Sequence, residues 1–112
     1  MNLQEISDSL EIRDLITAYT RAIDTRAFAD LDHVFTPDAV LDYSAMGGPV
    51  GPPSEVVPWI EKGLAGFDRY QHLLGQISLE VDGDSARATA YFTNPMVAVG
   101  RDGTEKLFEV GG

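Results

Sequence analysis

Cysteine is absent from the 112 residues, which excludes disulfides, thiolate metal sites and a cysteine nucleophile. Histidine is nearly absent: only His33 and His72 occur. A His-rich metal site is thereby excluded, and no HxxxH or HxH spacing supports a mixed His and carboxylate one, so no metal is expected. Basic residues are scarce too. Eight Lys and Arg stand against 18 Asp and Glu, a formal charge of −10, which repels phosphate backbones and anionic membranes. Neither nucleic acid nor membrane is an expected partner. No apolar run approaches the roughly 20 residues that span a bilayer. Met1-Asn2-Leu3-Gln4-Glu5 lacks the basic flank and apolar stretch of a secretory signal, so the expected location is cytoplasmic.

What is present is ordinary for a globular chain: 44% hydrophobic and 23% charged residues argue against disorder. The length is that of one domain spanning residues 1–112 and suffices for one core. From Leu3 to Asp24, Leu3, Ile6, Leu10, Ile12, Leu15, Ile16, Tyr19 and Ile23 recur at intervals that predict a long amphipathic helix with one apolar face. Phe28, Leu31, Val34 and Phe35 predict a shorter helix ended by Thr36-Pro37. Ala39 to Ser44 reads as the first strand, and Met46 to Pro53, with three glycines and three prolines, as a loop.

A third helix is expected from about Ser54 to Phe67, with Ser54 as its cap and Pro58 in or near its first turn. The remainder is β: strands from about Arg69 to Val81, Ala86 to Val99 and Thr104 to Val110, joined by two Asp-Gly turns. The two long strands need bends, expected at Gly75 and at Asn94-Pro95. Helices followed by a meander specify α+β, with the helices on one face of the sheet. Ala86, Ala88, Ala90, Phe92 and Asn94 share one face of a strand, and His72 and Gln76 share a face of its neighbour. If these strands curl around the helices, they enclose a pocket of the kind that takes small molecules.

His72, in Tyr70-Gln71-His72-Leu73-Leu74, and Asp24, closing the first helix, are the candidate chemistry. A neutral imidazole beside a carboxylate is a general base. The bland alternative for His72 is a half-buried strand histidine bonded to backbone. Asp24 opposes the dipole of its own helix end, which asks for another partner such as a turn bond or His72. Tyr19 and Tyr43 read either as core tyrosines or as hydrogen-bond donors. Asn94 either bonds the backbone beside Pro95 or touches a ligand. Trp59, Phe92, Met96 and Phe108 read as core, some of them lining the pocket, and His33 as solvent-facing.

Glu11-Ile12-Arg13-Asp14-Leu15-Ile16-Thr17-Ala18-Tyr19, Ala22-Ile23-Asp24, Leu31 to Phe35, Pro37-Asp38-Ala39-Val40 and Val81-Asp82-Gly83-Asp84 together resemble the SnoaL-like branch of the nuclear transport factor 2-like superfamily. The resemblance implies a cone: a strongly curved antiparallel sheet wrapped around three N-terminal helices, usually a homodimer through the sheet's outer face. Among the family's dehydratases it matches Tyr19 to a helix-1 tyrosine, Asp24 to the acid that pairs with the catalytic histidine, Tyr43 to a pocket tyrosine and His72 to that histidine. It implies a cofactor-independent lyase of dehydratase type acting on a small hydrophobic molecule, with His72, Asp24, Tyr19 and Tyr43 catalytic and Asn94, Trp59, Phe92 and Met96 at the substrate.

Departures from the family pattern pull the other way. Tyr43 stands where steroid isomerases carry their base, Met96 falls near a second histidine of one dehydratase, and Asn94 replaces an acid of another. The family continues through further strands beyond the equivalent of Gly112, so an exposed sheet edge is expected. The other reading these departures leave open is a hydrophobic-ligand-binding or dimerising module without catalysis.

Overall fold

A computed structural model describes residues 2–112. Helix α1 spans Leu3–Asp24, as the apolar spacing predicts, and starts where the Asn2 side chain accepts the Glu5 backbone N–H at 2.8 Å. Such a cap satisfies one of the four N–H groups a helix start leaves unpaired. The short second helix is a 3-10 helix, Phe28–His33. Strand β1 is only Leu41–Asp42, and it pairs antiparallel with β2, Val50–Gly51, inside the stretch expected to be loop. A 3-10 turn, Ser44–Met46, joins them. The Asp42 carboxylate accepts the Ser44 N–H at 2.9 Å, and the Ser44 side chain together with this N–H holds the carboxyl below the ordinary aspartate range.

Helix α2 runs Pro53–Leu64, starting one residue and ending three residues earlier than expected. Pro52, not Ser54, occupies the cap position, and Pro53 opens the helix where its missing N–H costs nothing. Pro58 therefore lies inside the helix, beyond the first turn. The strands β3 (Arg69–Tyr70), β4 (Leu73–Asp82), β5 (Ser85–Val99) and β6 (Glu105–Gly111) form an antiparallel sheet around β5. The sheet is not closed. The β4–β5 turn is Gly83-Asp84, with Gly83 at φ +56°, a conformation glycine adopts without steric cost.

The expected bend at Gly75 is a bulge: Leu74 pairs with Phe92 and Ile77 with Ala90, so Gly75 and Gln76 together oppose one residue. That extra residue shifts the alternation, and Gln76 faces outward instead of sharing the face of His72. At Asn94-Pro95 the interruption falls on the partner instead. Strand β5 runs through Pro95 unbroken, while Gln71 and His72 form the gap between β3 and β4.

The core is built mainly between the helices and β1: Ile23, Phe28, Leu31, Leu41, Val56 and Ile60 are all buried. Only the C-terminal third of α1 takes part in it. Leu3 and Leu10, expected on the buried face, are 85% and 59% exposed, because α2 and the sheet pack against the far end of this long helix. Phe108, expected in the core, is exposed on β6 and packs edge-on to Phe67 at 5.7 Å. Among the described residues no helix is long and apolar enough to cross a membrane.

Candidate active site

Asp24 is the last residue of α1, and the chain turns away from the helix immediately after it. Thr25 closes the helix and Arg26 takes φ +61°, the left-handed conformation that glycine usually fills. A side chain there costs roughly 1 kcal/mol or more. Arg26 offsets this by donating to the carbonyls of Leu64 and Phe67 at 3.2 and 2.6 Å, with its guanidinium 4.8 Å from the centre of the Tyr70 ring. Tyr70 in turn donates to the Ile23 carbonyl at 2.7 Å. The end of α1 is thereby tied to the end of α2 and to β3.

His72 lies in the gap between β3 and β4, not within a continuous strand. Its backbone N–H is free of the sheet ladder and donates to Asp24 Oδ2 at 2.9 Å and Oδ1 at 3.2 Å. The ring nitrogen Nδ1 lies 2.6 Å from Asp24 Oδ1. A carboxylate only accepts, so Nδ1 carries the proton in a neutral ring and Nε2 holds the free lone pair. One aspartate thus orients both the backbone and the ring of His72. The dipole-opposing position of Asp24 has its partner here.

The His72 ring lines a cavity of about 530 Å³ between the helices and the sheet, 5.6 Å from the Phe92 ring. Of the residues singled out in the sequence, Tyr19, Tyr43, Trp59, Phe92, Asn94 and Met96 also line it, and Asp24 does not. Asp24 lines a separate, more polar cleft with Arg21 and Tyr70, so the pair spans the wall between the two spaces. His33 is exposed and takes no part.

Tyr19 and Tyr43 meet hydroxyl to hydroxyl, one from α1 and the other from the end of β1. Burial pushes the Tyr43 phenol up from its ordinary value to about 12, which keeps it a neutral donor. Since an unfolded chain ionises this phenol near its ordinary value of 10.0, the stability it contributes is complete below that pH. It is lost as pH rises toward about 12. A fall of order 2 kcal/mol across that window is expected in urea titrations, and Tyr43→Phe should lack it.

Tyr43 packs at 5.9 Å from Trp59, and the Trp59 indole covers Gly48. A Cβ on Gly48 would stand 2.7 Å from the indole. Gly48→Ala is therefore expected to displace Trp59 and to cost about 1–3 kcal/mol by overpacking. Chemical denaturation reads the loss, and the emission of this single tryptophan reads the displacement.

Sequence reasoning missed Arg26 and Tyr70 as the groups that position Asp24. A left-handed arginine has no local sequence signal, because glycine and asparagine are the usual occupants. It also left Ala88 and Ala90 unassigned to the site, although their alternation with Phe92 and Asn94 marked a face with room.

The chain matches the model of the SnoaL-like domain over residues 4–112. An uncharacterized protein of Mycobacterium tuberculosis is 46% identical over 108 residues, covering 96% of this chain and 73% of that protein. The solved structure of the Kfla4162 protein from Kribbella flavida gives a TM-score of 0.83 at 24% identity, over 96% of this chain and 77% of that one. A protein from Novosphingobium aromaticivorans, provisionally called an aromatic ring hydroxylase, gives 0.60 at 30% identity, over 94% and 78%. A Streptomyces avermitilis protein of the NTF2-like family, provisionally called a dehydratase, gives 0.58 at 20% identity, over 94% and 79%. At their identities the Kribbella and Streptomyces structures speak to the fold alone.

Proposed function

This chain belongs to the SnoaL-like domain family, and from that premise we propose that it is a lyase of dehydratase type acting on a small hydrophobic molecule. The observation that carries the reading is the 2.6 Å contact of His72 Nδ1 with Asp24 Oδ1 on a ring that lines the cavity. It leaves Nε2 as a base facing bound substrate. The cavity walls are predominantly apolar, which favours a hydrophobic substrate.

In the proposed reaction Nε2 removes a proton from the carbon beside a carbonyl, and that electron pair becomes the new C=C bond as the C–O bond of a β-hydroxyl breaks. Asp24 stabilises the imidazolium that forms. Tyr19 and Tyr43 are hydrogen-bonded to each other, so one hydroxyl donates to the other and the second donates to the developing oxyanion or the departing hydroxide. Burial holds Tyr43 neutral, so it is a donor and not the source of the proton. The proton taken by His72 balances the one the hydroxide gains, water leaves, and the site returns to its starting state. No cofactor is invoked.

The test is a panel of hydrophobic β-hydroxy carbonyl compounds, followed by the absorbance of the conjugated product. Product above the uncatalysed rate is expected. Binding of these compounds without product from any of them overturns the lyase and leaves a ligand-binding module. Met96, buried at the cavity's inner end where it supplies no acid or base, favours that second reading. Tyr91 and Leu107, 64% and 68% exposed on the outer face of the sheet, support a homodimer through that face, which sedimentation would detect.

A further inference from the structure

The cavity changes character along β5. The alternate residues Ala88, Ala90, Phe92, Asn94 and Met96 line it, and eight residues of strand extend roughly 26 Å. Burial rises along that line: Ala88 is exposed, Ala90 and Phe92 are half-buried, and Asn94 and Met96 are each 5% exposed. The cavity is open at the alanine end and closed at the Asn94 end, with the His72 ring beside Phe92 between them.

At the closed end, Asn94 Oδ1 has no hydrogen-bond partner among the described residues. A buried amide oxygen left unpaired is costly and uncommon. The expected alternative, a bond to the backbone beside Pro95, is not made. No Lys, Arg, Asp or Glu is among the described residues that line the cavity, and the His72 ring is already paired with Asp24, so the lining favours a neutral head group over a charged one. A hydroxyl is neutral and both donates and accepts, so it satisfies a carboxamide through either end.

We propose that the site selects an elongated apolar molecule ending in a hydroxyl. The hydroxyl bonds Asn94 at the closed end, the reacting carbon lies beside His72, and the apolar body extends over Ala90 and Ala88. Asn94 sets the head group and the two alanines admit the length. This inference rests on the reading of the cavity as the substrate site.

Three probes test it by equilibrium dialysis: 4-phenylphenol, biphenyl and phenol, with Trp59 fluorescence reporting occupancy of the cavity. Wild type is expected to bind 4-phenylphenol about tenfold more tightly than biphenyl. Asn94→Leu should abolish that preference without loss of melting temperature, since it removes an unsatisfied polar group; Asn94→Ala serves if leucine disturbs the fold. Ala90→Phe should weaken 4-phenylphenol at least tenfold and leave phenol unchanged, with Ala88→Leu as its second variant. Equal affinity for 4-phenylphenol and biphenyl in wild type, or a preference that survives at Asn94→Leu, overturns the proposal. Binding of none of the three overturns both it and the reading of the cavity as a substrate site. The expected pattern in a protein whose His72→Ala variant turns over like wild type supports this inference and overturns the general base alone.

Discussion

His72→Ala is expected to lower kcat for an eliminated substrate by about 10²–10⁴-fold, the range that general acid–base catalysis supplies. The reason is positional. Nδ1 is committed to Asp24 at 2.6 Å, so Nε2 is the lone pair the ring can offer the cavity. Among the described lining residues no carboxylate or amine stands ready to replace it. The Asp24 contact to the backbone N–H of residue 72 survives truncation of the ring, so the gap between β3 and β4 should keep its geometry and KM should change by only a few-fold. Added imidazole, small enough for the vacated space, should restore part of the rate. Turnover equal to wild type would falsify the general-base assignment.

Asp24 separates two jobs that a single substitution would confuse. Asp24→Ala removes acceptors from both the His72 N–H and the ring. It should cost about 1–3 kcal/mol of stability, because a half-buried donor loses its partner, along with at least 10²-fold in kcat. Asp24→Asn keeps one oxygen for the backbone N–H and should stay within about 1 kcal/mol of wild type in urea denaturation. Its amide N–H group, placed against Nδ1, favours the tautomer with the proton on Nε2, which is the wrong one for a base. Turnover in Asp24→Asn should therefore fall nearly as far as in His72→Ala. An Asp24→Asn variant that folds and turns over normally would show that the aspartate holds only the chain.

Local signals carried much of this far. The apolar intervals of α1 and its end at Asp24, the Gly83-Asp84 turn and the bulge at Gly75 are decided by neighbours within a few residues, and the sequence shows them directly. Elements that depend on distant partners were harder to read. The strand Val50–Gly51 exists because Leu41 and Asp42 lie beside it, and nothing in a run of glycine and proline announces that. Ser54 looked like a cap, yet the chain enters α2 through Pro52, since a loop tied to β1 sets the direction of entry. Phe108 is as apolar as any core residue, but it stands on β6, where no described element covers it fully.

The site divides along the same line. Composition and pattern alone excluded thiol, disulfide and His-rich metal chemistry, set the α+β class and singled out His72 and Asp24, while the family resemblance added Tyr19, Tyr43 and Asn94. Those are statements about residue types and short-range order, which a sequence contains. Only the tertiary structure decided that His72 leaves the sheet ladder to meet Asp24, that an arginine in the left-handed region ties down the helix end, and that Asn94 is buried with an unpaired oxygen. Each depends on groups between 38 and 48 residues apart or on what surrounds a side chain on every side. Contacts of that kind follow from packing the whole chain, because burial and the pairing of polar groups are settled only when distant segments close on one another.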